Sequence, residues 1–307
     1  MTEPTDIDRS EPIVDAHHHL WDLFALNYPW SKAPPHDVGW GDTRPLYADY
    51  LVGHLRHDAE RQNLIKSVHV QANVDPTDPV RETEWLERVA DLPDSAGLPT
   101  AIVAYVDLSS PAAAEHLARH AAHPRVRGIR QVLNRHADAR LNRAPADFLA
   151  DPRWQAQFGL LRNHGLSFDA QVYWQQMPAL ADLARRHPDI PIVLDHAGMP
   201  VERDSPALAG WAQGMQLLAT CPNVCVKLSG YGMSDLHWTP DSLRRFVRDP
   251  IEWFGPDRAM FGSNFPVDRL MSSYDRLWDT YRLLVADLSS QDRRALLRGT
   301  AERFYRI

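Results

Sequence analysis

Short apolar runs alternate with longer amphipathic stretches along nearly the whole of this chain, and no other feature restricts its fold as much. Runs at residues 13–16, 67–71, 101–106, 126–131, 167–171, 192–195, 224–228 and 259–262 read as buried strands. Helical periodicity fills the gaps at 80–90, 111–122, 154–163, 177–186 and 210–219, and a final pair of helices is expected at 274–286 and 291–305. Strands that alternate with helices form parallel β/α units. Eight such units predict an α/β fold closed into a (β/α)8 TIM barrel. The 307 residues suffice for one domain of this kind. A single barrel is therefore expected over 12–307, after a flexible polar segment at 1–11.

Composition narrows the partners. A formal net charge of -7, without any basic cluster, argues against nucleic acid. No apolar run reaches the roughly 18 residues of a membrane span, and the polar start of the chain lacks the apolar stretch of a secretory signal. A cytoplasmic protein acting on a small molecule is the expectation, and a homo-oligomer is left open. Cys221 and Cys225 lack the paired spacing of a zinc knuckle and read as packing residues.

The reactive face of such a barrel lies at the C-terminal ends of its strands, and polar residues collect there. The first strand runs into His17-His18-His19-Leu20-Trp21. Strand side chains alternate, so His17 and His19 share a face about 6–7 Å apart and can converge on a metal ion or a polarised substrate atom. His196 follows the sixth strand and is a third imidazole for the same purpose, or else a strand cap. Gln71 ends the second strand with His69 on the same face, and Arg130 stands near the end of the fourth. The fork of Arg130 suits a substrate carboxylate or an acidic partner inside the barrel. Lys227 interrupts an apolar strand, where an unpaired ammonium is costly, so it contacts either substrate or Asp195. Trp21, Trp30 and Tyr173 can wall a pocket or simply fill the core. Long stretches at 27–50 and 132–152 leave the same face and read as binding loops.

Together these segments resemble the lactonase branch of the amidohydrolase superfamily, which includes fuconolactonase and the hydrolase of 2-pyrone-4,6-dicarboxylate. The likeness rests on Asp15-Ala16-His17-His18-His19-Leu20-Trp21-Asp22 with Tyr28-Pro29-Trp30. It continues through Val126–Arg130, Val193–Gly198, Val226–Gly230 and Phe261–Asp268, nearly the whole chain. The resemblance implies a metal-dependent-hydrolase-like barrel in which His17, His19 and His196 hold a divalent ion such as zinc or manganese. Some members of that branch are thought to work without a metal. The branch usually carries an aspartate on the last strand to activate water, and here that position is Asn264.

An amide cannot take a proton at neutral pH. Asp268, four residues on, is the first replacement to consider as acid/base. The second is a histidine or a metal-bound hydroxide, with Asn264 orienting the water. The leading expectation is hydrolysis of a lactone of a sugar acid or carboxylated ring compound, catalysed by His17, His19, His196, Asn264 and Asp268. Trp21, Trp30, Gln71, Arg130, Tyr173 and Lys227 would bind substrate. The alternatives are a decarboxylase of an aromatic or muconate-type acid, which the missing carboxylate disfavours, and a non-catalytic small-molecule binder.

Overall fold

A computed structural model describes residues 7–33 and 39–307. Eight strands pair side by side in sequence order, all parallel: β1 (Ile13–His18), β2 (Leu64–Val70), β3 (Ala101–Tyr105), β4 (Val126–Val132), β5 (Ser167–Gln171), β6 (Ile192–Leu194), β7 (Val224–Leu228) and β8 (Ala259–Phe261). The ends of the sheet meet just beyond β8. The His19 amide donates to the Phe265 carbonyl at 2.7 Å, and the Asn264 amide to the His17 carbonyl at 2.7 Å. The expected barrel is thus present and nearly closed.

Helices follow the strands: α1 (Val52–Asp58), α2 (Val80–Ala90), α3 (Ala113–Ala121), α4 (Pro152–Phe158), α5 (Met177–Arg186), α6 (Ser205–Ala219), α7 (Pro240–Phe254) and α8 (Tyr274–Leu284). Local chemistry marks several starts. Asp151 accepts from the Arg153 and Trp154 amides, Asp204 from Ala207, and Ser273 from Arg276, each a side-chain cap on a fresh helix. Thr239 and Ser242 cap each other's backbone at the start of α7, with Pro240 in the first turn.

Several helical expectations change. Helix α1 is not among the expected helices, and the helix expected over 154–163 ends at Phe158 and continues as a 3-10 turn over Gly159–His164. Helix α7 is absent from the sequence reading, because Pro250 and the charges of Arg244, Arg245, Arg248 and Asp249 mask its apolar stripe. Leu243, Phe246, Val247, Ile251 and Phe254 nonetheless bury one face. The last helix, expected over 291–305, is divided into α9 (Ser290–Arg294), a π-helical turn at Ala295–Gly299 and α10 (Thr300–Tyr305). Within the segment expected to be flexible, residues 1–6 lie outside the described residues. Arg9 pairs with Asp279 at 2.5 Å.

One core lies between the strands and the helices; a second joins Val14, Val68, Val70, Val103, Val193 and Met260 with Ala301 and Tyr305 of α10. Among the described residues, no helix is long and apolar enough to cross a membrane.

Candidate active site

Strand β1 presents its histidines through an irregularity. Its register against β2 steps from Asp15↔Ser67 to His18↔His69, three residues against two, which marks a bulge. Asp15 before the bulge accepts from the Ser263 amide at 2.8 Å, the Ser263 hydroxyl at 2.6 Å and the Tyr274 hydroxyl at 3.0 Å. His17 and His19 beyond it turn to the other side, with ring centroids 5.1 Å apart. His18 points away from them and hydrogen-bonds Ser67 at 2.9 Å, as alternation predicts. His69 does not share the position of Gln71. Strand β2 ends at Val70, so Gln71 leaves the alternation, while His69 accepts from the Leu20 amide at 3.0 Å and lies 3.9 Å from Glu82 of α2.

His196 comes from a strained turn after β6. His196, Ala197, Gly198 and Met199 have φ of 56°, 48°, 71° and 47°, four consecutive left-handed residues, three of which carry a Cβ. The His196 Nδ1–Ser229 hydrogen bond at 2.9 Å and the Trp211 indole bond to the Ala197 carbonyl at 2.7 Å hold this turn in place. Gly230 gives the ring its room, since a Cβ there would stand 2.5 Å from His196 Nδ1. Asn264 is also left-handed, at φ 57°, a region that asparagine enters at small cost.

These turns bring His17 and His196 to a ring separation of 4.5 Å. The Nδ1 of His19 donates to the Val70 carbonyl at 2.7 Å, which leaves its Nε2 as the lone-pair nitrogen, 3.3 Å from Asn264 Oδ1. His17 Nδ1 faces Asp195 at 3.3 Å and Lys227 at 3.2 Å; its Nε2 is buried without a hydrogen-bond partner among the described residues. Burial pushes all three imidazoles far below their usual range, His196 to about 3, so each is neutral at physiological pH. Neutral imidazoles are acceptors and metal ligands.

Behind them lies a buried cluster of paired charges. Lys227 Nζ is 2.5 Å from Asp169 and 3.3 Å from Asp195, and Arg130 Nε is 3.4 Å from the other Asp195 oxygen. Burial works to raise the Asp195 carboxyl, but the facing Lys227 ammonium and His17 hold it well below the usual carboxylate range. The Tyr305 hydroxyl donates to Asp169 at 2.9 Å from beneath.

Above the histidines opens a cavity of about 360 Å³. His19, His196, Arg130, Gln71, Gln171 and Asn264 face it, and Trp21, Trp30, Trp40, Leu46, Tyr47 and Arg143 are among its walls. Four residues expected at the reacting centre or substrate do not line it: His17, Lys227, Tyr173 and Asp268. His17 is wholly buried beneath the cavity floor. Lys227 is sealed among Asp169, Asp195 and His17. Tyr173 spends its hydroxyl on the Leu141 carbonyl at 2.8 Å. Asp268 stands behind Asn264, whose Nδ2 donates to it at 3.0 Å. Burial raises the Asp268 carboxyl to about 7, against the opposing Asn264 hydrogen bond. Arg130 reaches the cavity, but its fork is committed to protein acceptors: Asp195, Gln171 and, at 3.4 Å, the Gln71 carbonyl.

The sequence reading missed Gln171 and Asp169, both in β5. A carboxylate inside an apolar strand and an amide at its last position were the available signals. Trp40 and Tyr47 come from the long stretch at 27–50, of which 34–38 lie outside the described residues, and Arg143 from the stretch at 132–152.

The donors of His17, Asp195 and His196 lie within 4.8 Å of one another, the one such group among the described residues. His19, placed with His17 and His196 by the sequence, has its Nε2 turned to Asn264 instead.

A sequence model of the amidohydrolase family matches residues 14–307. This chain belongs to that family. The amidohydrolase is 41% identical to an uncharacterized protein, y4mH, of Sinorhizobium fredii, over 96% of this chain and 98% of that one. It is 34% identical to an L-fucono-1,5-lactonase of Burkholderia multivorans, with 96% of each chain covered. Its fold matches the crystal structure of an amidohydrolase from Burkholderia multivorans with bound zinc at a TM-score of 0.78 and 31% identity, over 96% of this chain and 99% of the other.

Proposed function

We propose that this amidohydrolase hydrolyses a lactone. Water adds to the acyl carbon, the acyl–oxygen bond of the ring breaks, the ring oxygen leaves as a hydroxyl, and the product is a hydroxy acid. The observation that carries this reading is the line His19–Asn264–Asp268 at the cavity floor. The Val70 carbonyl fixes the tautomer of His19, so its Nε2 lone pair faces the cavity side. Burial and the Arg130 charge keep it weakly basic at rest, and it accepts the proton of the attacking water as negative charge develops on the substrate oxygen. In the resting state that lone pair meets the Asn264 oxygen at 3.3 Å with no proton between them. Once His19 takes the proton, the same contact becomes a charge-assisted hydrogen bond. It is therefore stronger on the way to the transition state than before it, which is the condition for catalysis. Ionised Asp268 accepts only, so it holds the Asn264 amide with its oxygen toward His19. Asp268 thus acts through Asn264, and the loss of the last-strand carboxylate is met by a neighbouring imidazole.

Arg130 sets a positive potential at the floor, where the carbonyl oxygen gains charge. The donor set also suits a divalent ion: His17 has a buried Nε2 without a partner, and the Nδ1 of His196 is tied to Ser229. His17, His196 and Asp195 would hold it, and such an ion supplies Lewis acidity to the carbonyl and to water.

The test is release of acid from lactones, followed with a pH indicator. The parent should turn over, and His19→Ala should lose about 10²–10⁴ in kcat. Turnover within threefold of the parent in that variant would remove His19 from the chemistry.

A further inference from the structure

The walls of the cavity carry information about substrate that the floor does not. We infer that the lactone this amidohydrolase takes bears an apolar substituent, aryl or alkyl, rather than a ring of hydroxyls; this rests on the lactone-hydrolase reading above. Trp21 and Trp30 stand edge to face on one wall, with ring centroids 5.1 Å apart, and Tyr47 meets Trp30 in the same way at 5.8 Å. Both indole N–H groups are already spent on backbone, Trp21 on the Ala48 carbonyl at 2.7 Å and Trp30 on the Ala72 carbonyl at 2.9 Å. What these rings present to a ligand is carbon.

The amide side chains on the wall and floor of the same space are already engaged with protein partners. Gln71 accepts from the Asn73 amide at 2.7 Å and donates to its side chain at 3.4 Å. Gln171 accepts from Arg130 and donates to Asn134 at 2.8 Å. Asn264 is bound to Asp268. Against these amides and the aromatic wall, a polyhydroxylated ring would strip water from its hydroxyls and gain few partners among the described residues. Each hydroxyl left without one weakens binding by roughly five- to a hundredfold. An aryl or alkyl group loses nothing on the same wall and gains contact with three aromatic rings.

The experiment compares kcat/KM for dihydrocoumarin (aryl), δ-decalactone (alkyl) and L-fucono-1,5-lactone (hydroxylated). The apolar lactones should be preferred at least tenfold. Trp30→Ala should raise KM for dihydrocoumarin about tenfold with kcat changed less than threefold, and Trp30→Phe should restore it. A preference for the fuconolactone of tenfold or more overturns the inference and leaves lactone hydrolysis standing. If no lactone is turned over, calorimetry with dihydroquinolinone, the lactam of dihydrocoumarin, and with fuconolactam decides. Tighter binding of the aryl lactam upholds the apolar pocket while the hydrolase reading falls, and binding of neither removes both.

Discussion

Replacing Asp268 by Asn removes the charge that orients Asn264 and nearly preserves shape, so it separates two effects that run in opposite directions. Burial holds the Asp268 carboxyl at about 7 against an ordinary 3.8. The folded protein thus keeps a proton that the unfolded chain releases near pH 4, and stability attributable to this group falls as pH rises from about 4 through about 7. Above that range the whole penalty is present, on the order of 4 kcal/mol; at about pH 5 it is about 2 kcal/mol. The variant carries no such penalty. It should be the more stable protein, by a margin that widens by about 2 kcal/mol between about pH 5 and pH 9 in urea unfolding at equal m. Activity should move the other way. The parent's kcat/KM should rise with pH and level off above about 7, when Asp268 is ionised, and the variant should lie about 10²–10⁴ below it without that limb. A margin that does not widen with pH would mean that Asp268 ionises normally. Activity within threefold of the parent would mean that its charge does not serve the reaction.

Lys227→Met leaves Asp169 and Asp195 facing each other in the barrel interior without their ammonium, and should cost about 3 kcal/mol in denaturant unfolding. A loss below about 1 kcal/mol would show that Arg130, His17 and Tyr305 suffice to hold both carboxylates. Elemental analysis of untagged protein should find about one divalent ion per chain, lost in the double variant His17→Ala/His196→Ala. A metal-free parent with full lactone turnover would reassign those imidazoles to direct contact with substrate.

The strands were legible because β-strands buried on both faces read as short apolar runs, and every one of the eight begins or ends within a few residues of its expected bounds. Helix α7 was not, because Pro250 and a run of charges outweighed an apolar stripe that only tertiary packing uncovers. At the site, His17, His19, His196 and Asn264 stood out as polar residues where apolar strands stop. What the sequence could not carry is depth and direction. Asp268 and Asn264 are four residues apart in the chain, yet only the fold sets one behind the other, with the Asn264 amide donating to Asp268, the arrangement on which the proposed anchoring role rests. The tautomers are tertiary information of the same kind. The partner of His19 Nδ1 is Val70, that of His196 is Ser229, and those of His17 are Asp195 and Lys227, each on a different strand or strand end from its histidine. A histidine near a strand end marks where chemistry can occur. Which nitrogen carries the lone pair, and hence whether His19 can take a proton from water, is decided by a carbonyl on the adjacent strand.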